Sequence, residues 1–156
     1  MPRVIELHLA QSAPAEVELC LATAGFVQPT PPDDTWRFPS LESTVLYVSI
    51  SASYAEFREV DEEAYQRIVS ALGDTHPSTR LFVEISNRHP GDSELRFLVQ
   101  LLLSRFNGVA VDEYEPGHCW YLAEIETGSR VNGHTFFDYQ AFNDSRHTVR
   151  FPLDSE

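Results

Sequence analysis

The sequence of 156 residues contains no lysine, and all eleven of its basic residues are arginines. The chain therefore cannot form a lysine Schiff base or supply the lysine of a phosphate-binding P-loop. Cysteine is nearly absent as well: Cys20 and Cys119 are far apart and form no CxxC pair. We expect both to be free buried thiols in a reducing compartment, because a chain of this length can bury a core without disulfides.

Long apolar runs are also missing. No stretch approaches the ~18 consecutive apolar residues of a membrane helix. The first ten residues, MPRVIELHLA, carry Glu6 and His8 inside their apolar segment, unlike a signal peptide. The sequence therefore predicts a cytoplasmic protein that does not bind membranes.

Negative charge, in contrast, is in excess. Eleven basic residues stand against 24 acidic ones, which gives a net charge of −13 at pH 7. This charge repels nucleic acids and anionic membranes and attracts basic partners. The apolar content of 42% and aromatic content of 12% nevertheless indicate a folded chain.

The periodic segments predict one α+β domain over residues 1–156. Strands are predicted where apolar residues alternate with polar ones, and helices where apolar residues recur every three to four positions. The predicted strands are 3–10, 43–51, 79–86, 109–111 and 118–125, and the predicted helices are 14–24, 62–72 and 94–106. Residues 28–39 are predicted to be a loop and residues 127–156 an irregular closing segment.

Helices interleaved with strands favour a mixed β-sheet packed against about three helices, a single-domain sandwich. The last two strands should be antiparallel neighbours, because only a short turn joins them. Asp61 is expected to cap the second helix, and Asp92 or Ser93 the third. No GxGxxG follows any strand, so a dinucleotide site is not expected.

The segment VDEYEPGHCW, residues 111–120, collects residue types that bind metals or act in catalysis. These are Asp112, Glu113, Glu115, His118 and Cys119. A small metal-dependent enzyme that uses this cluster is one hypothesis. Against it, neighbouring side chains on a strand face apart, so His118 and Cys119 cannot both bind one ion. No zinc-site spacing and no GxSxG motif occurs, and we predict no catalytic residue, metal ligand or cofactor.

The same region also supports a protein-binding surface. No arginine lies between Phe106 and Ser129, whereas acidic and aromatic residues alternate there. Aromatic side chains supply contact area, and carboxylates steer a basic partner. Trp120 and Tyr121 are adjacent, so at least one should point into the core. The predicted partner-binding residues are Asp112, Glu113, Tyr114, Glu115, Trp120, Glu124 and Glu126, and a second acidic cluster is Glu56, Glu59, Asp61, Glu62 and Glu63.

The order of segments over residues 79–139 resembles a known family. A strand, an Arg/Gly turn and a long apolar helix ending in RFNG run into VAVDE, and HCWYLAEI and GHTFFDY follow. This order is similar to that of small bacterial immunity proteins of polymorphic toxin systems, including the Sit-type contact-dependent families. The resemblance implies a non-enzymatic protein that binds and neutralises one cognate toxin. The charge of the chain adds that this toxin should be basic.

A third possibility is an adaptor domain of a larger complex. The third predicted helix is apolar around most of its circumference, and Phe97 and Leu101 extend its apolar stripe. Such a helix is either central to the core or offers a face to a partner.

Overall fold

The computed structural model describes residues 3–138, in which strands and helices alternate. The strands are β1 (Arg3–Ala10), β2 (Trp36–Phe38), β3 (Leu46–Ser51), β4 (Pro77–Ile85) and β5 (Asn107–Asp112). The helices are α1 (Pro14–Thr23), α2 (Ala55–Val60), α3 (Glu62–Ala71), α4 (Asp92–Leu103) and α5 (Leu122–Thr127). The predicted α+β class is confirmed.

The strands form one sheet in the order β2-β3-β4-β1-β5, in which all neighbours are antiparallel. The structure thus corrects one detail of the prediction, the mixed sheet. Two pairs of strands run in the same direction: β1 and β3, which are connected through α1 and β2, and β4 and β5, which are connected through α4. An antiparallel strand lies between the members of each pair, β4 in the first and β1 in the second. Two interlocked split β-α-β units result.

The main core lies on one face of this sheet, beneath α1, α4 and α5. Phe82 and Glu84 of β4 point away from it, to the other face. Full burial of one Leu, Ile or Val side chain contributes about 1.5–3 kcal/mol, so this layer dominates the stability. Alternate residues of the two central strands point into it and are at most 1% exposed: Ile5, Leu7, Leu9, Leu81, Val83 and Ile85.

The other face of the sheet is covered by helices at one end. There α2 and α3 pack over His8, Ala10 and Val109. Elsewhere the face is accessible, and the side chain of Phe82 is 44% exposed. We call this accessible part the open face. Its side chains, which the strand register places side by side, are Val4, Glu6, Tyr47, Ser49, Phe82, Glu84 and Val111.

Residues 118–125 do not form the predicted strand. They make a single antiparallel bridge, between Trp120 and Ala110, and α5 begins two residues later. The Glu124 side chain accepts the backbone N–H of Tyr121 at 2.9 Å, and Gly128 ends the helix in a left-handed conformation. These two end interactions favour a short helix over a strand.

Two short elements were not predicted. β2 lies inside the segment predicted as a loop, residues 28–39, and its Trp36 is buried while Phe38 packs against the core. α2 contains no buried residue. Its six residues include only two large apolar side chains, Phe57 and Val60, which is too short a run for the apolar periodicity on which helix prediction depends.

The helix caps agree with the prediction in one case. The Asp61 carboxylate accepts the backbone N–H of Ala64 at 3.0 Å and caps α3, as predicted. At α4 the N-cap residue is Gly91, not the predicted Asp92 or Ser93, so no side chain caps this helix. Gly91 has a φ of +76°, and a Cβ at this position would overlap the Ile85 side chain. Glycine is required here because it tolerates both constraints.

The last described residues agree with the prediction of an irregular segment in part. Residues 129–138 form turns around a bridge between Val131 and His134, and Phe136 and Phe137 are buried. The rest of that predicted segment, residues 139–156, lies outside the described residues. Among residues 3–138, no helix is long and apolar enough to cross a membrane.

Candidate functional site

A groove of about 600 Å³ lies between the sheet and the α2–α3 pair, beside the open face. Glu6 and His8 of β1 and Arg80 of β4 form its floor. The α2–α3 pair forms one wall, and Val111, Pro116 and Cys119 lie on the opposite side. Its volume and its mixture of apolar and charged groups are typical of binding sites.

A chain of hydrogen bonds runs through the floor of the groove. His8 Nε2 lies 3.2 Å from Glu6 Oε1, and His8 Nδ1 lies 2.8 Å from the Tyr54 hydroxyl oxygen. The same hydroxyl lies 3.3 Å from the Thr79 carbonyl oxygen. A carboxylate oxygen only accepts hydrogen bonds. In neutral His8 the proton is therefore on Nε2, and the Tyr54 hydroxyl donates its single proton to Nδ1 at 2.8 Å rather than to the more distant Thr79 carbonyl oxygen.

Arg80 completes this network from the neighbouring strand. Its Nε and Nη2 atoms both lie 3.0 Å from Glu6 Oε1. Its guanidinium lies over the Phe57 ring at 4.8 Å and the Phe82 ring at 5.2 Å. The strand register places Arg80 opposite His8, two residue pairs along the ladder from Glu6 and on the same face of the sheet. Glu6 Oε1 thus receives three donors, and Glu6 Oε2 accepts none within residues 3–138.

Burial sets the protonation of this network. Burial lowers the pKa of His8 more strongly than the Glu6 carboxylate raises it, so His8 is neutral near pH 7. Burial alone would raise the pKa of Glu6, but the hydrogen bonds from His8 and Arg80 outweigh it and lower that pKa. Burial also raises the pKa of the Tyr54 hydroxyl far above its usual range, so this hydroxyl stays protonated. Neither a reactive phenolate nor an exposed imidazole is present at the floor.

Acidification below pH 6.5 is expected to destabilise the protein through His8. Its folded-state pKa lies below the ordinary 6.5, so the unfolded chain takes up the proton first. The contribution of neutral His8 is present above pH 6.5 and is lost as the pH falls toward the folded-state pKa. By proton linkage the loss between pH 7.5 and 5.5 is at most about 1.4 kcal/mol.

Urea unfolding of the wild type and of His8→Gln at both pH values measures this loss. Groups other than His8 titrate in both proteins and cancel in the difference. A smaller pH dependence is expected in His8→Gln. Equal pH dependence in the two proteins would show that His8 is not held neutral.

Two of the predicted partner-binding residues are buried, and this corrects their assignment. Trp120 is fully buried in the main core, and Asp112 is 2% exposed. The Asp112 carboxylate accepts backbone N–H groups of Tyr114, Glu115 and Phe137 at 3.2, 2.9 and 2.7 Å. Neither side chain can contact a partner without unfolding of the core. The expectation that at least one of Trp120 and Tyr121 points into the core is confirmed, because Trp120 is fully buried there, whereas Tyr121 is 46% exposed.

The other predicted residues lie at or near the surface but are not equally free. Glu113 and Glu126 are exposed, and Tyr114 is half-buried. Glu115 accepts a hydrogen bond from Asn132 at 2.7 Å. Glu124 caps α5 and lies 3.2 Å from His118. These side chains are spread over the loop after β5 and over α5. They therefore do not form one continuous acidic face of free carboxylates.

The hypothesis of a metal site at residues 112–119 lacks convergent ligands. Within residues 3–138, no three His, Cys, Asp or Glu side chains come together in an arrangement that could hold an ion. His118 lies against the Trp120 ring and Glu124, whereas Cys119 lines the groove. Burial raises the pKa of the Cys119 thiol, although the nearby Arg67 lowers it in part. A protonated thiol is a poor nucleophile.

The face of α4 that an adaptor would use is also partly occupied. The Phe97 ring, 42% exposed, stacks on Phe38 at 5.4 Å, and Phe38 stacks on Phe26 at 4.5 Å. Leu101 packs against the main core.

Sequence reasoning did not identify the floor of the groove. The alternation of Ile5, Leu7 and Leu9 with Glu6 and His8 predicts only a half-buried strand with the two polar side chains on its second face. A weak signal exists in hindsight. A histidine and an acid on one face of a strand can meet an arginine across the ladder, but only the register of β1 with β4 shows which one.

Comparisons of the chain with protein-family models, with curated proteins and with solved structures gave no match.

Proposed function

We propose that this chain is a non-enzymatic cytoplasmic binding protein that neutralises a basic protein toxin by direct contact, as an immunity protein does. The proposal extends the resemblance of residues 79–139 and the net charge of −13. Its contact surface is the groove together with the open face beside it.

One observation carries the proposal, the exposure of carboxylates next to apolar side chains at the groove. Glu56 and Asp61 line the groove and are exposed. Val60 lies between them in sequence and is 81% exposed, and Phe82 of the open face is 44% exposed. Exposed apolar groups bordered by charge are typical of protein interfaces.

The charge of the surrounding helices has the same sign. In α2, α3 and the residue between them, five carboxylates stand against the arginines Arg58 and Arg67. Arg58 pairs with Glu62 at 3.2 Å, and Arg67 lies 3.8 Å from Glu63. Such a surface attracts a cationic protein over a distance and speeds its association.

The test begins with affinity purification of the tagged chain from its host and identification of the bound protein by mass spectrometry. We expect one basic protein that stops growth when it is expressed alone and does not stop growth when this chain is co-expressed. A large assembly, or a partner whose expression is harmless, would contradict the proposal.

Charge reversal then tests the acidic surface. Glu56→Arg/Glu84→Arg, which reverses one carboxylate of the groove and one of the open face, should slow association with the purified partner by roughly tenfold at low salt and much less at high salt. The matched control is Glu18→Arg/Glu42→Arg, which makes the same charge change at exposed positions away from the groove. Equal slowing by both variants would indicate an effect of net charge, and no slowing would show that these acids do not guide the partner.

A further inference from the structure

The groove has the chemistry of a receptor for a single cationic side chain. We infer that it binds an arginine side chain presented by the partner, with the guanidinium at the carboxylates of Glu56 and Asp61. This inference rests on the proposed function, because it assigns the partner group that the groove receives.

Free carboxylate oxygens at the groove are the first support. Glu56 makes no hydrogen bond or ion pair within the described part of the chain. Asp61 uses Oδ1 to cap α3, and its Oδ2 has no partner among these residues. At the floor, Glu6 Oε2 is similarly left over, since its three donors all bind Oε1. A guanidinium carries five N–H donors and no acceptor, which matches such a set of acceptors.

The positive groups that line the groove are already compensated. Arg80 is held by Glu6 at 3.0 Å, as described above. Arg67 has Glu63 at 3.8 Å, outside the lining of the groove. The lining carries three carboxylates, Glu6, Glu56 and Asp61, against the two arginines, and this excess of one negative charge favours a cation over an anion.

The fold itself holds one arginine in the manner that we infer. The Arg80 guanidinium lies over two aromatic rings, with a carboxylate at its edge. For an incoming arginine, Val60 and Val111 offer apolar contact to the methylene stem, and the carboxylates receive its charged end. A planar guanidinium suits this mixture of apolar and carboxylate contacts better than a strongly hydrated ammonium does.

A titration of the ¹⁵N-labelled full chain tests the inference without the partner. The probe is Nα-acetyl-arginine amide at millimolar concentrations, and its neutral isostere Nα-acetyl-citrulline amide is the control ligand. We expect saturable amide shifts in α2, in the first turn of α3 and near Val111 with the arginine probe, and little change with citrulline. Equal shifts with both probes, or tighter binding of Nα-acetyl-lysine amide, would overturn the assignment.

Two double variants of equal charge locate the site. Glu56→Gln/Asp61→Asn should weaken binding of the arginine probe about tenfold, and asparagine keeps the cap of α3. Glu18→Gln/Glu59→Gln removes the same charge at exposed positions that do not line the groove, and it should change affinity less than twofold. Equal weakening by both would overturn the inference.

The variant Arg67→Gln tests whether the groove prefers a positively or a negatively charged ligand. Arg67→Gln should tighten binding of the arginine probe, because it removes a repelling charge from the wall. A different result would make the groove an anion site and the inference wrong: the wild type binds Nα-acetyl-glutamate amide more tightly than the arginine probe, and Arg67→Gln weakens that binding.

The failure of the site and the failure of the proposed function can be told apart. If the arginine probe binds but no toxic partner is found, the proposed function fails and the arginine site stands. If a toxic partner binds equally well to Glu56→Gln/Asp61→Asn, the site fails and the function stands.

Discussion

Trp120→Ala is expected to lower the free energy of unfolding by about 3–5 kcal/mol, the usual cost of removing a buried aromatic side chain. Trp120 is fully buried in the main core. Its ring centroid lies 4.7 Å from that of His118 and 6.0 Å from that of Phe136. Its backbone exchanges two hydrogen bonds with Ala110, at 2.7 and 2.9 Å, and so ties the loop after β5 to the edge of the sheet. Loss of the ring leaves a cavity where these layers meet.

Urea unfolding at 25 °C measures this cost, and two variants calibrate it. Trp120→Phe should cost much less than Trp120→Ala, because phenylalanine keeps most of the volume. It also removes an indole N–H that has no hydrogen-bond partner among the described residues. Tyr121→Phe, next in sequence but half-exposed, removes one hydrogen bond to Ala71 and should cost about 1 kcal/mol. A Trp120→Ala protein of wild-type stability that no longer binds its partner would mean that Trp120 belongs to the contact surface.

Asp112→Ala is expected to destabilise the protein by about 3 kcal/mol. The carboxylate accepts three backbone N–H groups, of which that of Phe137 is buried and the closest, at 2.7 Å. Alanine leaves these donors without an acceptor, and an unsatisfied buried donor costs about 1–3 kcal/mol. The loop after β5 and the turn at residues 136–137 would then lose their common anchor. Thermal or urea unfolding measures the loss.

The pH dependence identifies the carboxylate itself. Burial raises the pKa of Asp112 above its ordinary 3.8 more than the three N–H groups lower it. The folded protein therefore takes up this proton first as the pH falls, and the Asp112 contribution makes stability increase as the pH drops through the folded-state pKa. Asp112→Asn keeps the shape of the side chain and should remove this contribution. If the wild type and Asp112→Asn have the same pH dependence between pH 7 and 4, Asp112 is not the buried acid that the structure describes.

The elements that sequence reasoning predicted correctly are those in which one period dominates. In β4, buried residues alternate with residues that are half-buried or exposed, and in α4 Leu95, Leu98 and Leu102, which recur at helical spacing, are buried. The prediction of a strand at residues 118–125 was wrong because HCWYLAEI alternates over only a few residues, and a short apolar run does not distinguish a helix from a strand. There the capping by Glu124 and Gly128 decided the outcome.

The candidate site was harder to predict, since its parts are distant in sequence. At Asp112 and Glu113 the alternation correctly separates the two side chains, one buried and one exposed. The alternation alone does not show which of two neighbouring side chains at the end of a strand points into the core. The groove combines residues from positions 6 to 119, and only strand register and helix packing bring them together.

The sheet order has a consequence for synthesis on the ribosome. β1 emerges first, yet both of its neighbours, β4 and β5, are translated at least 65 residues later. Until residue 85 has left the exit tunnel, the nascent chain carries an apolar strand with two unpaired edges, and the edge that pairs with β5 stays open until residue 112 has emerged. Unpaired strand edges invite association with other chains. β1 is therefore the strand that stays longest without its neighbours during synthesis.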